Sequence, residues 1–444
     1  MAVEPSAGAG VRSPGPPDHV TPYDRFAWTD EEVERLLVSG AQRAELEAFF
    51  GPAEYRVLVR LARAAGGARR APDALRTIIV PGIMGSQLGF PRHAPLPYDI
   101  LWLDPLDIVQ GRLTELVVAD ALRPTPCGVV LYSYLRLKLH LRAAGLDAVF
   151  HHYDWRLGVD ALGAALAQRI AAEPSERLAV VGHSLGGLLG RAALALRGGG
   201  KVVRLVLLGT PNSGSYAAVQ ALRGTAEVVH RIARLDARHT AAGLAAAVFR
   251  TFPSLYHLLP RAGLSGTLDL LDPDVWPTGG PLPDPLLLRA ARDLPDRLAP
   301  ADERCVCVVG TGFPTVTCAT RRRDQFLYTI TRHGDGTVPI ASAELAGARS
   351  YYVPVLHGEL PRDPGVAAAI VELLRKGATR RLPSRRRSAS RATARIGDHA
   401  LDRREAGKID WTRLTADERR DFLQNLNQPL TLALRVPRRR ARAG

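Results

Sequence analysis

Leu178-Ala179-Val180-Val181-Gly182-His183-Ser184-Leu185-Gly186-Gly187 is the stretch on which the reading of this chain turns. The first four residues form a short apolar run of the kind that lies buried on both faces of a parallel sheet. An amphipathic segment, Leu185 to Arg197, follows as a helix. A serine set between strand and helix with glycines on either side is the arrangement of a nucleophile elbow. The sharp turn lifts the hydroxyl out at the strand end. It also aims the Leu185 backbone N–H and the positive end of the helix dipole at charge developing beside the serine. Ser184 is therefore the expected nucleophile.

The same alternation extends in both directions. Thr77 to Val80, Ala148 to Phe150, Val202 to Leu208, Cys305 to Val309 and Tyr351 to Leu356 are further apolar runs, separated by amphipathic segments such as Val159 to Ala172. Strands alternating with helices predict an α/β fold with a mostly parallel sheet flanked by helices. The stretch from about 213 to 300 breaks the rhythm. It is Ala/Leu-rich and then Pro-rich, and reads as an inserted helical cap or lid. Residues 1–25 carry too little apolar surface to offset ordering and read as disordered. Residues 26–70 read as two short helices, opened by the capping box Thr29-Asp30-Glu31-Glu32 and broken at Gly51-Pro52. The α/β domain then covers 71–376, leaving 377–444 as a basic, partly disordered C-terminal extension.

A serine hydroxyl needs a base to take its proton and a carboxylate to orient that base, in the chain order Ser, acid, His on this architecture. His357 stands directly after the last apolar run, where that strand would deliver a base. Asp335, between Gly334 and Gly336 and 22 residues earlier, is the acid candidate, with Asp324 as a competitor and His333 as an alternative base. The loop after the first core strand, Pro81 to Leu88, should supply the other oxyanion donor. Geometry leaves Ile83 and Met84 both open.

Several segments are similar to the lecithin:cholesterol acyltransferase-like α/β hydrolases, which include lysosomal-type phospholipase A2. They are Val80-Pro81-Gly82-Ile83-Met84-Gly85-Ser86-Gln87-Leu88, Trp102-Leu103-Asp104, Tyr153-Asp154-Trp155-Arg156, the Gly182–Gly187 elbow, Gly209 to Ser215, Phe252 to Pro260 and Gly334 to Pro339, in that order. The resemblance spans about 76–375. It implies an α/β-hydrolase fold, a Ser184–Asp335–His357 triad and oxyanion donors from the Ile83 and Leu185 backbones. It also implies a lipid ester as substrate, with an acyl group passed to a lipid alcohol or to water. Trp102 could line an acyl groove or belong to the core. Tyr153 to Arg156 reads as a brace, with Asp154 and Arg156 paired. A serine peptidase on the same fold and a catalytically idle scaffold are the alternatives.

Composition sets the outer bounds. The 444 residues fit one to three domains, and 46% hydrophobic content excludes disorder throughout. Four cysteines without paired spacing exclude a disulfide scaffold and a zinc site, and no other metal or organic cofactor is implied. No secretory signal and no membrane-spanning apolar run are visible, so a cytoplasmic protein is expected. The net charge of +15 is unevenly spread, because residues 377–444 hold 18 Arg/Lys against 7 Asp/Glu. Peripheral contact of this segment with anionic lipid is one reading, and a solvated tail is the other. Nucleic acid has no aromatic interleaving or reader motif in its favour. Oligomeric state is not legible.

Overall fold

The computed structural model describes residues 21–67, 74–92, 96–119, 123–261, 264, 268–386, 392–403 and 407–426, with the side chains of 25–27 left out. Among these residues twelve strands occur: β1 (Arg76–Val80), β2 (Ser86–Pro91), β3 (Tyr98–Trp102), β4 (Thr125–Val129), β5 (Asp147–Phe150), β6 (Leu178–His183), β7 (Val202–Leu208), β8 (Cys305–Gly310), β9 (Thr315–Arg322), β10 (Gln325–Thr331), β11 (Arg349–Val353) and β12 (Thr393–Gly397). Six of them form a parallel sheet in the order β11-β8-β7-β6-β1-β5. This is an α/β-hydrolase fold.

Residues one apart on a strand face opposite ways, and the two faces build separate cores. Ile78, Val80, Val180, Leu205 and Leu207 pack on one side with the helices Val159–Ala172 and Leu185–Leu194. Ile79, Ala179, Val181, Val206 and Val308 pack on the other with Leu131–Ala143 and Pro364–Lys376. The chain turns back at β1, since β5 lies on one flank and β6 on the other. Loops leaving β1 and β6 therefore open side by side at a topological switch point, where ligand clefts of such sheets form. The register Val80↔Gly182 brings the Pro81 and Ser184 turns together.

The N-terminal extension holds three helices, Asp30–Ser39, Arg43–Phe50 and Pro52–Gly67, where the sequence suggested two. The extra break lies at Gly40, which takes φ 77° and sends its N–H to the Leu36 carbonyl, a left-handed cap that costs glycine nothing. The expected capping box at Thr29 and Glu32 is present. Of residues 1–25, read as disordered, 1–20 lie outside the described residues, but Pro22–Ala27 form a 3-10 helix and Thr21 and Asp24 are buried, with Asp24 Oδ1 accepting from the Ile100 N–H at 2.9 Å, a tie to β3 that composition does not reveal.

Two small antiparallel sheets, β3-β2-β4 and β12-β10-β9, were not anticipated. Their alternation is short and interrupted, and β12 comes from the basic extension. That extension is not an appendage in its described part. Trp411, Leu423 and Leu426 are buried in the core beneath the lid, and the helix Ala416–Gln424 starts at Thr415 with a full capping box. The cluster Arg438 to Arg442 lies outside the described residues.

Candidate active site

Ser184 follows β6 with φ 53° and ψ −123°, a conformation that L-residues with a Cβ rarely hold. The crossing geometry explains the glycines. A Cβ on Gly186 would sit 2.3 Å from the Val80 carbonyl oxygen, and one on Gly82 would sit 2.9 Å from Ser184 Cβ. The helix opens at Leu185, with the Gly187 N–H donating to the Ser184 carbonyl at 3.0 Å to close its first turn.

His357 and Asp335 meet as the sequence expected. His357 Nδ1 lies 2.8 Å from Asp335 Oδ2, and the His357 backbone N–H donates to the Asp335 carbonyl at 2.9 Å. Asp335 is fully buried. Its second oxygen accepts from Thr337 N at 3.0 Å and Val338 N at 2.7 Å, so the turn after it fixes the carboxylate. The loop reaches the site because β9 and β10 intervene between β8 and Asp335, and His357 follows β11. Asp324 sits on the β9–β10 turn paired with His399, away from this pair. His333 lies two residues before Asp335, and Ile340 N donates to its carbonyl.

The Pro81–Gly85 loop is a tight turn in which Gly85 N donates to the Gly82 carbonyl at 3.0 Å and Met84 takes φ 61°. Both Ile83 and Met84 border the cavity. The Tyr153–Arg156 segment clamps this loop. Tyr153 Oη donates to the Pro81 carbonyl at 2.7 Å, Trp155 Nε1 donates to the Ser86 carbonyl at 3.0 Å, and Tyr153 N donates to Ser86 Oγ at 3.1 Å. Arg156 is buried, with its Nη2 2.7 Å from Asp154 Oδ2 and its Nη1 donating to the Leu116 carbonyl. Trp102 does not line the cavity. Its indole N–H donates to the Met84 carbonyl at 3.0 Å and its ring meets Trp155 edge-on, so it braces the Pro81–Gly85 loop from behind.

A further bridge escaped the sequence reading. His183 Nε2 lies 3.0 Å from the His357 carbonyl, which can only accept, so Nε2 carries the proton and Nδ1 is free to accept. Tyr134 Oη, 2.8 Å from Nδ1, then donates to it and accepts from Gly82 N–H at 2.9 Å. Burial, reinforced by His357, holds the His183 pKa well below its usual value, which keeps the ring neutral as this chain of bonds requires. Gly82 and His357 are thereby tied through two side chains. His183 occupies the variable position of the Gly182–Gly186 motif, and Tyr134 stands in no motif at all.

Ser184, His357 and Ile83 open on one cavity of about 230 Å³. Ala218, Ala221, Leu255 and Leu258 of the 213–300 insertion give it an apolar side, while Glu227, His230 and Glu359 are polar. Leu401, Leu423 and Gln424 of the C-terminal extension also border it. No group of three or more metal-ligating side chains occurs among the described residues. No helix among them is long and apolar enough to cross a membrane.

No protein-family model matches the chain, and no curated protein matches it. Solved structures similar to it include the Bacillus licheniformis lipase BlEst2 in mature form, with a TM-score of 0.37 and 13% identity over 70% of this chain and 95% of that one. The propeptide form of BlEst2 gives a TM-score of 0.38 and 13% identity, over 72% of this chain and 54% of that one. The Tle4–Tli4 complex gives a TM-score of 0.41 and 14% identity, over 67% of this chain and 97% of that one.

Proposed function

We propose that this protein transfers acyl groups from lipid esters through an acyl-serine intermediate on Ser184, as the lecithin:cholesterol acyltransferase-like hydrolases do. The observation that carries the proposal is the strained Ser184 turn opening on the same cavity as the His357–Asp335 pair. His357 Nε2 takes the serine proton as Oγ attacks the ester carbonyl, and the imidazolium that forms faces the Asp335 carboxylate across Nδ1. The backbone N–H groups of Leu185 and Ile83 hold the oxyanion; losing one such donor costs on the order of 100-fold or more in rate. His357 then protonates the departing alcohol. Water or a second alcohol, activated by the same base, takes the acyl group from Ser184. The apolar lid side suits a hydrocarbon chain and supports a lipid ester, phospholipid among them, over a peptide.

Labelling by a fluorophosphonate tests the mechanism. Ser184→Ala abolishes labelling, and Asp335→Asn and His357→Ala slow it by up to roughly 10⁴-fold, the scale set by other triads. Full labelling of Asp335→Asn would move the acid elsewhere. Following a labelled acyl chain from phospholipid vesicles, with a long-chain alcohol present, separates the two acceptors: free fatty acid marks hydrolysis and a new ester marks transfer.

A further inference from the structure

The described C-terminal stretches 393–403 and 407–426 run as a strap across the 213–300 insertion. β12 extends the β9–β10 hairpin, pairing Thr393 to Gly397 with Thr331 to Leu327. Asp398 Oδ2 then takes the Nε of buried Arg223 on the lid helix Tyr216–Arg223 at 3.1 Å and the Phe326 N–H at 3.0 Å. Farther on, Lys408 Nζ donates to the carbonyls of Ala233, Asp236 and His239, at 2.8, 2.6 and 2.6 Å, where the lid helix Glu227–Leu235 ends. Ile409 N donates to the Arg234 carbonyl at 2.7 Å. The strap finally crosses to the body. Tyr132 Oη donates to the Leu423 carbonyl at 3.0 Å, and Gln424 Nε2 reaches the carbonyls of Phe49 and Phe50.

We propose that this strap forms the outer wall of the acyl-chain cavity and that Leu401 and Leu423 determine which chain length fits. The proposal rests on Ser184 as the acylated residue. Two facts carry it. Both leucines are buried and border the cavity that contains Ser184 and His357, alongside Ala218, Ala221 and Ile330. And the strap is anchored as well by backbone groups and by Asp398 and Lys408, apart from the core contacts that Leu401 and Leu423 share with Trp411 and Leu426. The acyl chain is the part of the substrate that stays attached to Ser184 while one alcohol leaves and the acceptor enters. It needs a berth away from that traffic, and the covered space between lid and strap provides one. A bounded apolar berth discriminates by about 10- to 200-fold for each methylene that overfills or underfills it.

The test compares kcat/KM for p-nitrophenyl hexanoate, decanoate and palmitate in the full-length protein and in Leu401→Ala, Leu423→Ala and Leu423→Trp. Cutting back either leucine raises the palmitate-to-hexanoate ratio by about tenfold or more, and Leu423→Trp lowers it. If the tryptophan variant does not fold, the two alanine variants decide. A ratio within about twofold of the wild type in folded variants overturns the proposal. A second readout does not depend on turnover. Hexanoate, decanoate and palmitate compete with a fluorescent fatty acid for Ser184→Ala protein, alone and combined with each leucine variant. The same shift in length preference supports the wall even if no ester is turned over, which would instead defeat the acyl-serine mechanism. No displacement by any acid, or no shift, overturns the wall.

Discussion

Replacing Ser184 by glycine and, separately, by alanine measures the strain stored at the turn between β6 and the helix after it. Both variants lose the hydroxyl and with it all fluorophosphonate labelling, so they differ only in the Cβ. Alanine keeps it at φ 53° and ψ −123°, whereas glycine occupies that region freely. Holding a non-glycine residue there costs about 1–3 kcal/mol. Against this, glycine loosens the unfolded chain by about 0.4–1 kcal/mol relative to alanine. Ser184→Gly is therefore expected to be more stable than Ser184→Ala by about 1–2 kcal/mol. Urea unfolding of the two variants under identical conditions, with equal slopes, reads this directly as a higher midpoint for glycine. A glycine variant no more stable than the alanine variant would refute the view that the turn is strained to present the hydroxyl.

Three further outcomes follow from the same structure. Tyr134→Phe leaves Gly82 N–H without its acceptor and His183 Nδ1 without its donor, so it should destabilise by about 2–4 kcal/mol in denaturant unfolding and slow labelling, while Phe at the half-buried Tyr98 should do neither. Burial, with Asp107 and Asp24 adding to it, raises the Asp104 pKa from 3.8 to about 7. The folded state thus keeps a proton that the unfolded chain has lost, and this site's contribution to stability falls as pH rises from about 4 to about 7. Asp104→Asn should gain on the wild type across that window, by at most about 4 kcal/mol, in unfolding series at fixed temperature; a constant difference would count against the raised pKa. Deleting 427–444 removes Arg435, Arg438, Arg439, Arg440 and Arg442 without touching the strap. It should weaken binding to anionic vesicles and spare hydrolysis of a soluble ester, and unchanged vesicle binding would dismiss the membrane contact. Deleting all of 377–444 is a different experiment, because it strips Trp411, Leu423 and Leu426 from the core.

What the sequence determined by itself is what local chemistry can encode. A parallel strand buried on both faces has to be a short apolar run, so all six strands of the main sheet were legible, with ends off by a few residues. The elbow at Ser184 was legible because only glycine at 182 and 186 lets the strand, the turn and the helix come so close. Asp335 and His357 were legible through chain order and turn residues, before any distance between them was known. Tertiary structure decided what depends on contacts between residues far apart in the chain. Tyr134 reaches His183 across 49 positions and Gly82 across 52, and nothing in its neighbours distinguishes it from a core tyrosine. Trp102 is an apolar residue in either role, and only the direction of its indole N–H, toward the Met84 carbonyl, made it a brace. The basic extension read as a lipid contact or a solvated tail because charge dominates its composition. Arg223, the partner of the buried Asp398, lies 175 residues earlier, the residues that Leu423 and Gln424 meet, Tyr132, Phe49 and Phe50, lie earlier still, and composition carries no record of such distances.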